Sequence, residues 1–188
     1  MSWDQIDGWS EGITQVYDMF ISSAANGAIA IEVGVAAGRS AAYMGRKIID
    51  SGKQITFYGV DPLIDQGSWG AQNADRWRAL GGPKNALLHN LYTHARQEAE
   101  VINLLMITSE QASKIFADNS VDFVLIDGDH SYGAVKSDIM LWKSKIKSGG
   151  MLSGHDIDFP EVMQAVQESL PDFVRGPFPH ACWCWKKP

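Results

Sequence analysis

Ile29-Ala30-Ile31-Glu32-Val33-Gly34-Val35-Ala36-Ala37-Gly38-Arg39-Ser40 opens as an apolar run, meets one acid, turns through two glycines and enters a helical pattern. That order predicts a buried parallel strand, a tight loop and a helix N-terminus. Glycines let backbone come close to a ligand, and the N–H groups at a helix start attract negative charge. The spacing Glu32-x-Gly34-x-x-x-Gly38 lacks the third glycine of the dinucleotide fingerprint, whose second glycine makes room for a pyrophosphate. A ligand with a nucleoside but no pyrophosphate fits this loop better. An NAD-dependent oxidoreductase is the alternative that the missing glycine argues against.

Outward from this stretch the chain alternates strand and helix. Ile13, Val16, Tyr17, Phe20 and Ile21 share one helical face and predict a helix over residues 10–24. After the central loop a helix is expected over 39–51, stopped at Ser51-Gly52. Ile55–Val60 reads as a second strand ending at Asp61-Pro62. The glycine-rich segment 64–83, with Trp69 and Trp77 interleaved, reads as a loop or lid with little regular structure. A helix over 84–99 follows, then a third strand at Leu104–Ile107 and a short helix opened by Ser109-Glu110. Val121–Ile126 is the fourth strand and runs into Asp127-Gly128-Asp129-His130. A helix over 132–146 ends at Ser148-Gly149-Gly150, and Met151-Leu152 starts a fifth strand that closes at Gly154-His155-Asp156. A further helix carries Phe159, Val162, Met163, Val166 and Leu170. The tail from 173 is β-like.

Strand and helix alternating five times define an α/β class: a Rossmann-like, doubly wound, mostly parallel sheet with helices on both faces. The 188 residues suit a single domain. In such sheets ligands sit beyond the carboxyl ends of the strands, at the switch in strand order. Glu32, Asp61, Ser109, Asp127 and Asp156 all fall at those ends. A net charge of −6 argues against a nucleic-acid partner, because phosphate binding needs a basic surface. With no apolar run of transmembrane length and no signal peptide, neither a membrane nor a secreted location is expected, and a cytoplasmic one is. Cys182 and Cys184 are the two cysteines. They read as small core residues in preference to a redox or metal pair.

Four blocks carry a resemblance: Glu32–Ser40, Gly59-Val60-Asp61-Pro62, Ile126–Tyr132 and Gly149–Asp156. Together they resemble class I S-adenosylmethionine-dependent methyltransferases, and within them the macrocin-type and related sugar O-methyltransferases. The likeness spans about residues 29–156, and Asp-Gly-Asp-His-Ser-Tyr followed by Gly-His-Asp is its more specific part. Two departures stand out. The 188 residues are read as lacking the extra N-terminal segment that many sugar-modifying relatives use for the acceptor, and His155 stands where some metal-dependent relatives carry a second Asp.

The resemblance implies methyl transfer from S-adenosylmethionine to a hydroxyl of a small-molecule acceptor, a sugar among the candidates. Gly34 and Gly38 would form the loop under the methionine half of the cofactor, with Ser40 among the cofactor contacts and Glu32 near the amino group, directly or through water. Asp61 would bind the ribose hydroxyls, or else serve only as the turn residue before Pro62. Ser109 would touch the adenine edge or merely cap its helix. Asp127 is expected at the cofactor as well as at a cation.

Asp127 and Asp156 end strands expected to be neighbours about 4.8 Å apart, so their carboxylates can share one cation. Oxygen ligands suit Mg²⁺ or Mn²⁺, and His155 as a third ligand would favour a transition metal. Without metal, Asp127 would bond loop N–H groups and Asp156 would cap the next helix. His130 has the pKa range of a general base, with Asp129 to orient it or act in its place. The competing roles are structural packing of His130 at the helix start, a cofactor-binding protein without methyl transfer, and a small metallohydrolase using the same acids.

Overall fold

The computed structural model describes residues 2–8, 10–64, 71–176 and 181–188. Seven strands form one sheet: β1 Ala28–Val33, β2 Ile55–Val60, β3 Ile102–Leu105, β4 Val121–Ile126, β5 Ile146–Gly154, β6 Val174–Arg175 and β7 Trp183–Lys186. Their order is β3-β2-β1-β4-β5-β7-β6. The first five are parallel, as βαβ crossovers require, while β7 runs antiparallel to both β5 and β6. The expected doubly wound α/β class is what is seen. The order reverses between β1 and β4, so the carboxyl ends of these two strands frame the crevice.

Successive side chains of a strand point to opposite faces, and β1 divides its residues accordingly. Ala28 and Ala30 pack with Phe57, Phe123 and Leu125 under α1 (Ile13–Ser23), α2 (Arg39–Ser51) and α4 (Pro83–His94). Ile31 and Val33 pack with Val124 and Ile126 on the other face, with Val135, Ile139 and Trp142 of α7 (Tyr132–Lys143) and Val162, Ala165 and Val166 of α8 (Pro160–Ser169). The buried face of α1 is Ile13, Val16, Tyr17, Phe20 and Ile21, as its periodicity predicts. Cys182 is buried, Cys184 is partly buried, and both are free thiols.

Several boundaries differ from the sequence reading. The segment 64–83 is not irregular over its described part: α3 (Ala71–Ala79) occupies it, and Pro83 starts α4 with its fixed φ at a position that needs no N–H. Residues 65–70, Trp69 among them, lie outside the described residues. The helix expected over 84–99 breaks at Ala95 (φ −141°, ψ 45°), and α5 (Arg96–Ala99) is a separate turn. The third strand is set two residues earlier than Leu104–Ile107. The glycines expected to end α7 lie inside β5, which begins at Ile146 and pairs with β4 across a register shift between Val121 and Phe123. Gly149 sits at φ +77°, a left-handed backbone that glycine adopts freely, within that irregular stretch. The short α6 (Ser109–Ser113) is capped by Thr108: its side chain accepts from Gln111 N and the Gln111 side chain returns to Thr108 N, a reciprocal capping box.

Candidate active site

The loop after β1 is built by contacts that a side chain would block. Gly34 has φ +89°, and a Cβ there would lie 2.1 Å from the Asp127 carbonyl oxygen. The ends of β1 and β4 therefore touch backbone to backbone, which brings Asp127 to the glycine loop. Gly38 (φ +93°) immediately precedes α2, and a Cβ on it would strike Leu87 at 2.6 Å. Asp61, at the end of β2, holds the loop in place. Its Oδ2 accepts from Val35 N (3.1 Å) and Ala36 N (3.0 Å), and its Oδ1 accepts from Leu63 N (2.8 Å). Only 6% of Asp61 is exposed.

Glu32 points from β1 into the α1–α2 layer and is 0% exposed. Tyr17 Oη donates to its Oε2 at 2.7 Å, and Ser40 Oγ donates to its Oε1. Burial pushes the Glu32 carboxyl up to about 8, against the pull of these two hydrogen bonds. Ser40 thus donates to Glu32 while also lining the space beside the loop. Ser109 lies apart, at the start of α6, where its Oγ accepts from Trp142 Nε1 at 2.9 Å.

At the β4 and β5 ends the fold brings four titratable groups together. His130 Nε2 lies 2.9 Å from Asp156 Oδ2. His155 Nδ1 lies 3.1 Å from Asp156 Oδ2 and 3.5 Å from Asp127 Oδ1, and its Nε2 is 2.9 Å from the Glu11 carbonyl oxygen. An imidazole with a carbonyl at one nitrogen and carboxylates at the other is best satisfied doubly protonated. Burial works against that charge, yet the bonds to Asp127 and Asp156 carry His155 up to about 10. Burial also opposes the charge on Asp156, but His130 and His155 hold it well below the usual carboxylate range. Asp127 is raised by burial, partly offset by His155.

The group that orients His130 is Asp156 and not Asp129, which is exposed and accepts from Ser131 N (2.8 Å) in its own turn. Phe159 stacks on the His130 ring at 5.5 Å and remains half exposed. Trp183 closes the back of this cluster, with its indole Nε1 buried and without a hydrogen-bond partner among the described residues. Among the same residues, Asp127, His130 and Asp156 present ligand atoms all within 4.8 Å of one another. His155 is not part of that set; its Nδ1 faces Asp127 and Asp156 and its Nε2 the Glu11 carbonyl oxygen.

A cavity of about 40 Å³ opens beside the glycine loop, lined by Gly34, Ala36, Arg39, Trp77, Asp127 and Asp7 of the N-terminal segment. Arg39 fastens that segment down: its guanidinium donates to the carbonyls of Asp4 (3.0 Å) and Ile6 (2.7 Å) and to Ser10 Oγ (3.2 Å), and it lies over the Trp3 ring. Neither Asp7 nor Trp77 stands near a motif, and no spacing in the sequence connects them to the loop.

A family model described as a methyltransferase domain matches residues 31–157. No curated protein matches the sequence. Solved structures share the fold. A candidate rRNA methylase from Clostridium thermocellum aligns with a TM-score of 0.63 at 15% identity, over 97% of this chain and 100% of its own. A Streptococcus mutans protein described as a candidate methyltransferase, solved in complex with S-adenosylhomocysteine (SAH), has a TM-score of 0.62 at 10% identity, over 94% and 98% of the two chains. CalS11, a TDP-rhamnose 3′-O-methyltransferase of calicheamicin biosynthesis, has 0.60 at 14%, over 93% and 77%.

Proposed function

The chain belongs to the methyltransferase-domain family, and from that membership we propose that it methylates a hydroxyl of a small-molecule acceptor, with S-adenosylmethionine as donor and His130 as base. The observation that carries this reading is the His130–Asp156 pair at the rim shared by β4 and β5, next to the loop that Gly34 and Asp127 bring together. Membership in the family sets the NAD-dependent alternative aside. The O-methyl acceptor, a sugar among the candidates, draws support from the acidic net charge, which disfavours RNA, and from the sugar-modifying neighbour.

The residues present suit this donor. The glycine loop lets backbone approach a ligand, and Gly34 has no room for a side chain. Bound S-adenosylmethionine supplies an electrophilic methyl group on a sulfonium. Asp156 accepts from His130 Nε2–H and so fixes the tautomer in which Nδ1 is the basic nitrogen. That nitrogen takes the acceptor hydroxyl proton. Phe159 keeps the imidazole ring in one plane and offers an apolar wall at the mouth. The protein's further contribution is alignment, which supplies much of the rate in a displacement of this kind.

A second reading is favoured by the clustering of ligand atoms from Asp127, His130 and Asp156. Two carboxylates and an imidazole suit Mn²⁺ or another transition ion better than Mg²⁺. Such an ion would polarise the acceptor hydroxyl and lower its pKa. His130 would then be a ligand and could not also be the base, so the two readings exclude each other.

Calorimetry with SAH and with NAD tests the cofactor: SAH binds and NAD does not. Transfer of labelled methyl into a panel of sugar and phenolic hydroxyls tests the reaction. Repeating the transfer after exhaustive chelation separates the mechanisms, because full activity belongs to the His130–Asp156 pair and loss restored by Mn²⁺ belongs to the ion. His130→Gln lowers turnover on either account and leaves SAH affinity unchanged.

A further inference from the structure

Trp183 and Asp127 each lack a good hydrogen-bond partner, and both face one small space. Trp183 is 0% exposed, and among the described residues nothing accepts from its indole Nε1–H. The Asp127 carboxylate makes one polar contact among those residues, with His155 Nδ1 at 3.5 Å, the outer limit of a hydrogen bond. A donor or acceptor withdrawn from solvent carries a desolvation cost until it is bonded. The two residues line one cavity of about 10 Å³, together with His130, His155, Val135 and Val162. That volume suits a single water molecule.

The sheet fixes both groups around this space. Trp183 pairs with Gly154 and Gly154 with Ile126, so the three stand in one row across β7, β5 and β4, and Asp127 follows Ile126 directly. A Cβ on Gly154 would stand 2.7 Å from Trp183 Nε1, so the N–H edge of the indole lies against the end of β5. Ile126, Val162 and Val166 pack in the same cluster as the ring and keep it there. Nε1 cannot swing away to find another acceptor.

We propose that this cavity is a one-water site: the water accepts from Trp183 Nε1–H and donates to the Asp127 carboxylate, which makes Trp183 a positioning residue for Asp127. Water suits the lining better than an ion does. An anion there would meet the Asp127 carboxylate, and a cation would meet the indole N–H. A neutral molecule that both accepts and donates satisfies both groups. Asp127 also lines the cavity beside the glycine loop, so a donor behind its carboxylate sets how that acid is presented to a ligand. The water site stands on the geometry alone, and its effect on ligand binding rests on the cofactor reading above.

Water-selective nuclear magnetic resonance on the isotope-labelled chain tests the site. The Trp183 indole proton, assigned by through-bond correlation, should show a rotating-frame Overhauser peak to water, of the sign that marks proximity and not exchange. Val162→Ile adds one carbon to the cavity wall, keeps the indole and should abolish that peak. A wild-type indole proton without the peak overturns the water site. Calorimetry with SAH tests the positioning role. Trp183→Phe removes the N–H and weakens SAH about three- to tenfold. Asp127→Asn weakens SAH too, and the double variant binds no more weakly than Asp127→Asn alone, because Trp183 acts only through that carboxylate. If Trp183→Phe does not fold, Val162→Ile takes its place in the same cycle. Losses that multiply overturn the positioning role and leave Trp183 as packing, and so does an Asp127→Asn variant that binds SAH like the wild type. A wild-type chain that does not bind SAH overturns the cofactor reading and the positioning role with it, while the water peak still decides the site.

Discussion

Glu32 joins three elements through one carboxyl, receiving Tyr17 from α1 and Ser40 from α2 while itself belonging to β1. Burial raises it from 4.5 to about 8, so the folded protein holds a proton that the unfolded chain has released. A group raised in the folded state stabilises fully below its unfolded pKa, and that stabilisation is lost as pH rises through the folded value. Between these limits each pH unit removes about 1.4 kcal/mol. Glu32→Gln keeps the shape and cannot ionise. Thermal melts from pH 4.5 to 8 should show the wild type losing ground to this variant, with the gap levelling above 8. A gap independent of pH would mean that Glu32 ionises in the folded state as easily as in water. The acids at the strand ends were legible in the sequence, because each follows an apolar run. Their partners were not: Tyr17 and Ser40 reach Glu32 through packing, and Asp156 reaches His130 across two strands, whereas adjacency pointed to Asp129.

Gly34 decides how β1 and β4 meet. Its neighbours at the position of a Cβ are backbone, the Asp127 carbonyl oxygen at 2.1 Å and the Gly128 Cα at 2.8 Å, so no side-chain rotation relieves the clash. Gly34→Ala adds left-handed strain to that overlap, at φ +89°. A loss of at least about 1–3 kcal/mol in chemical denaturation is expected, together with loss of SAH binding, because Asp127 is pushed off the loop. Stability equal to wild type would show that the β4 loop moves aside cheaply. Among the elements, this strand–loop–helix was readable because apolar run, glycines and helical pattern follow each other directly. α3 was not. Ala71–Ala79 carries one large apolar side chain, Trp77, and the glycines around it suggested irregular backbone. β5 was misread for a related reason: Gly149 and Gly150 look like a helix stop, yet a Cβ on Gly150 would meet the Asp122 carbonyl at 2.9 Å, a close approach inside a kinked strand.

At the scale of the molecule the strand order places the switch between β1 and β4; Asp127, His130, His155 and Asp156 gather at the neighbouring ends of β4 and β5, while Glu32 is buried in the helix layer and Ser109 lies apart. Alternation of strand and helix made the parallel half of the sheet predictable. The insertion of β7 between β5 and β6 was not, since nothing local in Cys182-Trp183-Cys184-Trp185 specifies an antiparallel return; Gly154 permits it by leaving room for the Trp183 ring, 2.5 Å from where a Cβ would stand. The rim itself is not covered by the sheet. Its cover comes from two places far apart in sequence, the N-terminal turn at residues 2–8 and α3, joined by Asp7 and Arg76. Ligand bound between them adds contacts to both at once, whereas β4 and β5 are already held by their ladders. Hydrogen exchange with saturating SAH should therefore slow the amides of residues 2–8 and 71–79 together, with residues 34–40, and leave those of 121–126 unchanged. Slowing confined to 34–40 would show that the N-terminal turn and α3 stand over the loop without taking part in binding.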